Sequence, residues 1–176
     1  MATIAFLLDT DFEQVEYTHP KILLEEKGHT TTLITTQPQK QVRGLNHTDP
    51  ADHFDADLLV ADAKIEDYDA LVLPGGGANA DALRFNQDAQ AMVKAFFDSG
   101  KPVAAICHAP WIFVDTQIAN GKKLTAYKTI AIDLKNAGAH FEDSPVVTDG
   151  NLITSRQPDD IPAFVEAIDK MLTCKQ

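Results

Sequence analysis

Apolar residues in this chain fall into short continuous blocks, separated by stretches whose apolar positions recur every three or four residues. Thr3-Ile4-Ala5-Phe6-Leu7-Leu8 is continuous and reads as a strand buried on both faces. Asp9-Thr10-Asp11 supplies turn and cap chemistry, and a helix is expected from about Glu13 to Lys27, disturbed at Pro20 and ended by Gly28. The β-branched run Thr30 to Thr36 reads as a second strand, Gln37 to Lys40 as a turn, and Gln41 to Leu45 as an edge strand. Asn46 to Ala56 is polar and reads as irregular, with a short strand at Leu58 to Val60. Asp69 to Leu73 is another buried strand, stopped by Pro74-Gly75-Gly76-Gly77.

The later half repeats the scheme. Asn86 to Ser99 places Ala89, Met92, Val93, Phe96 and Phe97 on one helical face, with Gly100 after it. Val103 to Ile106 is a strand that runs into Cys107-His108, and Ala109-Pro110-Trp111-Ile112-Phe113 reads as the start of a helix. Thr129 to Ala137 reads as a helix closed by Gly138. Val146-Val147 and Leu152 to Thr154 flank Asp149-Gly150, a hairpin signal. Asp159 to Leu172 carries the final apolar stripe, Phe164, Val165, Ile168, Met171 and Leu172. Strands alternating with helices predict an α/β protein with a mostly parallel sheet. At 176 residues, one domain over 1–176 is expected.

Ligands of such sheets sit at the carboxyl ends of the strands. Three of those ends carry unusual residues: Asp9 to Glu13, Pro74 to Gly77, and Cys107-His108. A cysteine where a strand breaks into a helix is exposed to the helix's positive end, which predicts a depressed pKa and a reactive thiol. The bland alternative is a buried structural cysteine. His108 is a candidate base, or serves only through its backbone N–H. The glycine run and the His108 N–H are candidate oxyanion donors. No P-loop lysine and no G-x-G-x-x-G accompanies the glycines, which argues against a nucleotide. Glu13 and Glu16 follow the first strand. A carboxyl buried against Cys107 would have to hold a proton, but acids at a helix start are usually solvated. Glu16 and His19 lack a third ligand for a metal. Cys174 near the end of the chain and Trp111 read as bystander and packing residue.

Charge narrows the partners. Fifteen basic against 26 acidic residues give a net charge of −11, which excludes nucleic acid and anionic membrane as main partners. No apolar run is long enough to span a bilayer. With no secretory pattern and two distant cysteines, a cytoplasmic protein with reduced thiols is expected.

Several motifs in order resemble the PfpI/ThiJ family of the class I glutamine amidotransferase-like superfamily. They are Asp11 to Glu16, "LVLPGG" at Leu71 to Gly76, "GKPVAAICHAP" at Gly100 to Pro110, "DLKNAGA" at Asp133 to Ala139, and "VVTDGNLITSRQPDD" at Val146 to Asp160. The resemblance implies a flavodoxin-like three-layer sandwich with Cys107 at a nucleophile elbow. It implies Glu13 as the buried carboxyl at the sulfur, His108 as catalytic partner, and Gly75, Gly76 and the His108 N–H as the oxyanion site. It places Asp81 where related members put an acid that reaches a neighbouring subunit's histidine, and Tyr127 where an aromatic lines the pocket. A homodimer or higher homo-oligomer follows from the role of Asp81. No histidine follows Ser155, which argues against glutaminase activity.

The activities the resemblance implies are intracellular cysteine peptidase and glyoxalase III or protein deglycase. All attack carbonyl carbon through a thiol, with a peptide or a small reactive carbonyl as substrate and with neither metal nor cofactor. The alternative is a non-enzymatic redox-sensing or chaperone-like stress protein using an oxidisable Cys107.

Overall fold

The structure, a computed structural model, describes residues 1–174. The first half runs β1 (Thr3–Leu8), β2 (Phe12–Glu13), α1 (Val15–Glu26), β3 (Thr30–Thr35), β4 (Gln41–Asn46), β5 (Asp49–Asp55), β6 (Leu58–Leu59) and β7 (Ala70–Leu73). The second runs α2 (Gly77–Phe85), α3 (Gln87–Asp98), β8 (Val103–Ile106), α4 (Ile112–Asp115), β9 (Lys123–Leu124), α5 (Ala131–Asn136), β10 (His140–Phe141), β11 (Val146–Asp149), β12 (Leu152–Ser155) and α6 (Ile161–Thr173). Seven strands form one sheet in the order β11-β12-β8-β7-β1-β3-β6. Every neighbour pair in it is parallel except the hairpin β11–β12, turned at Gly150.

The unbroken apolar runs follow from helices on both faces. Side chains alternate along a strand, so each face takes every second residue. Ala5, Leu7, Leu71, Leu73, Val103 and Ala105 pack with Val93 and Phe96 of α3, Phe113 of α4 and Leu134 of α5. Ile4, Phe6, Leu8, Val72, Ala104 and Ile106 pack with Tyr17 and Leu24 of α1 and Phe164 and Ile168 of α6. Each fully buried large side chain contributes about 1.5–3 kcal/mol, which is why the central strands tolerate no polar residue on either face.

Four expectations are corrected. The polar stretch 46–56 is not irregular. It forms β5, paired antiparallel with β4. Backbone pairing needs no apolar side chains, and Phe54 anchors the hairpin against Phe12 and Tyr17, with ring centroids 5.8 and 5.4 Å apart. Glu13 lies outside the first helix, in β2, which pairs with β4; α1 begins at Val15 and runs through Pro20. The glycine run continues directly into α2, where only a turn was expected. Finally, the helix after Cys107 is a 3-10 turn at Ala109–Trp111 followed by the four-residue α4.

Candidate active site

The carboxyl ends of β1, β7 and β8 converge as the sequence suggested. Cys107 directly follows β8 with φ of 64°, the left-handed region that non-glycine residues rarely occupy. Two backbone hydrogen bonds hold the elbow. The Cys107 N–H donates to the Ser155 carbonyl at 3.0 Å, and its own carbonyl accepts from the Tyr127 N–H at 2.7 Å. The side chain is thereby lifted from the strand end to the floor of a crevice of about 900 Å³. Glu13, Glu16, His47, Gly76, His108, Tyr127 and Asp159 are among its lining residues. Cys107 is only 8% exposed, so a reactant reaches the sulfur from one side.

The carboxyl beside the sulfur belongs to Glu16, not Glu13. Strand geometry decides this. In β2, Phe12 faces the core and Glu13 turns the other way, where both carboxylate oxygens accept from the His47 N–H at 3.2 Å. Glu16, in the first turn of α1, faces inward and is 0% exposed. No hydrogen bond of ordinary geometry reaches either of its oxygens; the Cys107 thiol and the Gly75 N–H are its nearest polar company. Burial, and then the negative charge of Glu13, push Glu16 up to about 8, so it is mainly protonated at neutral pH.

The thiol is not depressed as the strand-to-helix turn had suggested. Burial and then the neighbouring Glu16 charge push it up, while N–H groups of Gly76 and His108 directed at it act the other way. The short helix beyond it offers little dipole to oppose burial. Two acids this close do not both ionise, and a protonated Glu16 removes its charge from the sulfur while burial continues to hold the thiol up.

Glycine at 75 is a matter of space. A Cβ there would lie 2.5 Å from a Glu16 oxygen and 2.7 Å from the Cys107 Cβ. Gly76 has φ of 95°, and a Cβ would meet the Glu13 N at 2.6 Å. Buried Asn79 shapes this turn by donating to the Pro74 and Gly75 carbonyls at 3.1 Å each, while its own oxygen accepts from Asp9 N–H. The carbonyls are thus held on Asn79. Of the donors expected at an oxyanion, Gly76 and His108 N–H face the sulfur, whereas the Gly75 N–H serves Glu16. Gly75→Ala is expected to cost about 2–3 kcal/mol in urea unfolding, because neither Glu16 nor the elbow can retreat.

His108 Nδ1 lies 3.2 Å from the Cys107 Sγ. Its ring stacks on Tyr127, centroids 4.8 Å apart, and its Nε2 is 3.3 Å from Thr129 Oγ1. Burial lowers its pKa, so the imidazole is neutral near pH 7. In the tautomer that donates Nε2–H to Thr129, Nδ1 is left as acceptor for the thiol proton. Thr129 escaped the sequence reading because 21 residues separate it from His108. Thr129→Val is expected to slow alkylation of Cys107 about threefold to tenfold, the worth of one hydrogen bond. The midpoint of its pH profile should move, with stability unchanged.

Asp81 is exposed on α2 and lines a separate surface crevice with Arg84, Phe85 and Asp115, away from the cavity over Cys107. Within one chain it does not join the site. No cluster of three or more metal-ligating side chains occurs among the described residues, and no described helix is long and apolar enough to cross a membrane. Cys174 is exposed and lies outside the cavity.

A mostly parallel sheet, helices on both faces and a cysteine on a left-handed residue at a central strand's end define a flavodoxin-like α/β protein with a nucleophile elbow. The chain belongs to the DJ-1/PfpI family, whose model matches residues 2–171. It is 40% identical over 161 residues to the Bacillus subtilis (strain 168) protein named "Putative cysteine protease YraA", with 92% of each chain covered. A two-domain Anabaena variabilis protein, with DJ-1/ThiJ/PfpI-like and ferritin-like domains, superimposes with a TM-score of 0.90 at 31% identity. That match covers 98% of this chain and 48% of the other, so this chain spans about half of that protein. Drosophila melanogaster DJ-1beta superimposes with a TM-score of 0.87 at 27% identity, over 97% of this chain and 89% of that one.

Proposed function

We propose that the protein is a cysteine-dependent enzyme that adds the Cys107 sulfur to the carbonyl carbon of a small reactive aldehyde, in the manner of a glyoxalase III. The observation that carries this is the elbow: a cysteine on a left-handed backbone, with a fully buried carboxylic acid on one side and a neutral imidazole at 3.2 Å on the other. The thiol proton passes to His108 Nδ1 and the sulfur forms a bond to the aldehyde carbon. The oxygen takes a proton from Glu16, with Gly76 and His108 N–H groups steadying its developing charge. For a 2-oxoaldehyde, Glu16, now a carboxylate, takes the proton from the former aldehyde carbon and returns it to the adjacent carbon, while the hydroxyl proton on the former aldehyde oxygen passes to the neighbouring oxygen, which leaves a 2-hydroxy thioester. Water then splits the resulting thioester into a 2-hydroxy acid and the free thiol. The sum is aldehyde plus water to hydroxy acid, with no external oxidant.

A sulfur that is nearly buried favours a small carbonyl over a peptide bond. Peptide hydrolysis, which the name of the B. subtilis relative suggests, starts from the same adduct chemistry. The test is cofactor-free conversion of methylglyoxal to lactate, run beside hydrolysis of fluorogenic peptides. Lactate formation lost in Cys107→Ala supports the proposal. Peptide hydrolysis alone overturns it in favour of the peptidase. If both assays are blank while peroxide adds two oxygens at Cys107 by mass spectrometry, the enzyme reading fails and a redox-sensing thiol stands.

A second copy of the chain would carry Asp81 toward His108, and Phe85, 89% exposed on the same helix, gives that surface an apolar residue to bury. A strictly monomeric mass in solution would remove Asp81 from the site.

A further inference from the structure

Correcting the acid at the sulfur frees Glu13 for another role. Its carboxylate stands on the wall of the Cys107 crevice, fixed by the His47 amide, and Asp159 stands in the wall formed by the loop after β12. Glu16, protonated, lies with Cys107 among the lining residues, and neither Lys nor Arg is one of them. The nearby cations are committed elsewhere. Arg43 holds Asp11 at 2.7 Å, Arg156 holds Asp143 and Asp160 at 2.9 Å each, and Lys128 lines the adjoining crevice. The Arg156–Asp160 pair also pins both ends of the loop that presents Asp159. No Lys or Arg side chain is paired with Glu13 or Asp159 among the described residues. The crevice is thus a reactive thiol with carboxylates on two of its walls and no fixed cation to answer them.

We infer that Glu13 and Asp159 are specificity-determining residues that select carbonyl substrates bearing an ammonium or guanidinium group, peptide-borne ones included, and reject anionic ones such as 2-oxo acids and glutathione adducts. This rests on the proposed carbonyl chemistry of Cys107 and adds the charge of its substrate. An anionic substrate would bring its charge against two carboxylates in a partly desolvated crevice with no lysine or arginine side chain to receive it. A cationic one gains both charges without any rearrangement. A neutral aldehyde is accepted without this gain.

The inference can be read on the thiol itself, apart from turnover. In a Cys174→Ser background, Cys107 is treated at pH 8 with cationic 2-(trimethylammonio)ethyl or anionic 2-sulfonatoethyl methanethiosulfonate. Each rate is taken by intact mass and divided by that of the same reagent with N-acetylcysteine amide. The cationic reagent is expected to win by about tenfold or more at low salt, less at high salt. Glu13→Gln with Asp159→Asn should bring the ratio close to one. Equal normalised rates in the parent, or a preference the double variant leaves unchanged, would overturn the assignment while leaving the carbonyl chemistry standing. No modification by either reagent would put Cys107 out of reach of any substrate and overturn both. A charge preference without turnover of any carbonyl compound would overturn the enzyme reading, and with it the carbonyl nature of the substrate, and leave only the charge selection at the thiol by Glu13 and Asp159.

Discussion

Cys107→Ala should leave a protein that folds as before and turns over no carbonyl substrate, with kcat/KM falling by about 10⁴-fold or more, the scale of losing a covalent nucleophile. The two halves of this expectation have separate origins. Stability hardly depends on the sulfur. The elbow is held by backbone bonds from Ser155 and Tyr127, which alanine keeps, and alanine accepts the same positive φ at the same cost. Losing one nearly buried sulfur should change urea stability by about 1 kcal/mol or less, near the scale of a single buried methylene. Activity depends on it wholly, because neither His108 nor Glu16 can form the adduct. Cys107→Ser sharpens the point. A serine hydroxyl ionises far above a thiol, and a neutral imidazole cannot make up the difference, so serine should be nearly as inactive as alanine. Retention of even a tenth of the activity in Cys107→Ala would mean that the chemistry sits elsewhere in the crevice.

Much of this was legible in the chain. The buried strands announce themselves as continuous apolar blocks because helices cover both sheet faces, and strand ends rich in Gly, Asp and Cys mark where a parallel sheet binds its ligands. The resemblance carried the buried acid to Glu13, and nothing local in the chain corrected it. Glu13 and Glu16 are three apart, a spacing that shares one face if both are helical. Only the pairing of Phe12–Glu13 with β4, a contact with residues 44 and 45, shows that Glu13 is extended, with its carboxylate at the crevice wall on the His47 amide and not at the sulfur. β4 was legible as an edge strand, but β5, which completes its hairpin, is polar enough to pass for a loop. Asn79 and Thr129 were invisible for a related reason: their roles rest on Asp9, 70 residues distant, and on His108, across a turn. The thiol's pKa was misjudged because the argument from a helix N-terminus needs a helix, and α4 has four residues. Residue type and position located the nucleophile; tertiary neighbours set its protonation.

Those neighbours make Glu16→Gln the most informative substitution after Cys107. Its effect on rate and its effect on stability should run in opposite directions. Glutamine fills nearly the same space but cannot deliver or accept the proton, so kcat should fall about 10²- to 10⁴-fold, the range for a lost general acid or base. Glu13→Gln should leave kcat for a neutral aldehyde within about threefold, since its carboxylate meets the His47 amide and not the sulfur. Stability follows from linkage. A carboxylic acid ordinarily near 4.5 is pushed up to about 8 in the fold. Between those values the folded state keeps a proton that the unfolded chain releases. Stability therefore falls as pH rises through that window, by about 1.4 kcal/mol per unit where the difference is one whole proton. The cost is absent below the unfolded value and complete above the folded one. Glutamine does not titrate, so the stability gap between Glu16→Gln and the parent should be flat below pH 4, widen in favour of the variant from pH 5 to 8, and level off above. Over the whole window the gain is on the order of 4 kcal/mol. Urea unfolding at pH 5 and pH 8.5 reads it directly. A gap that stays constant would mean that Glu16 is ionised in the fold and that the acid in this mechanism must be found elsewhere.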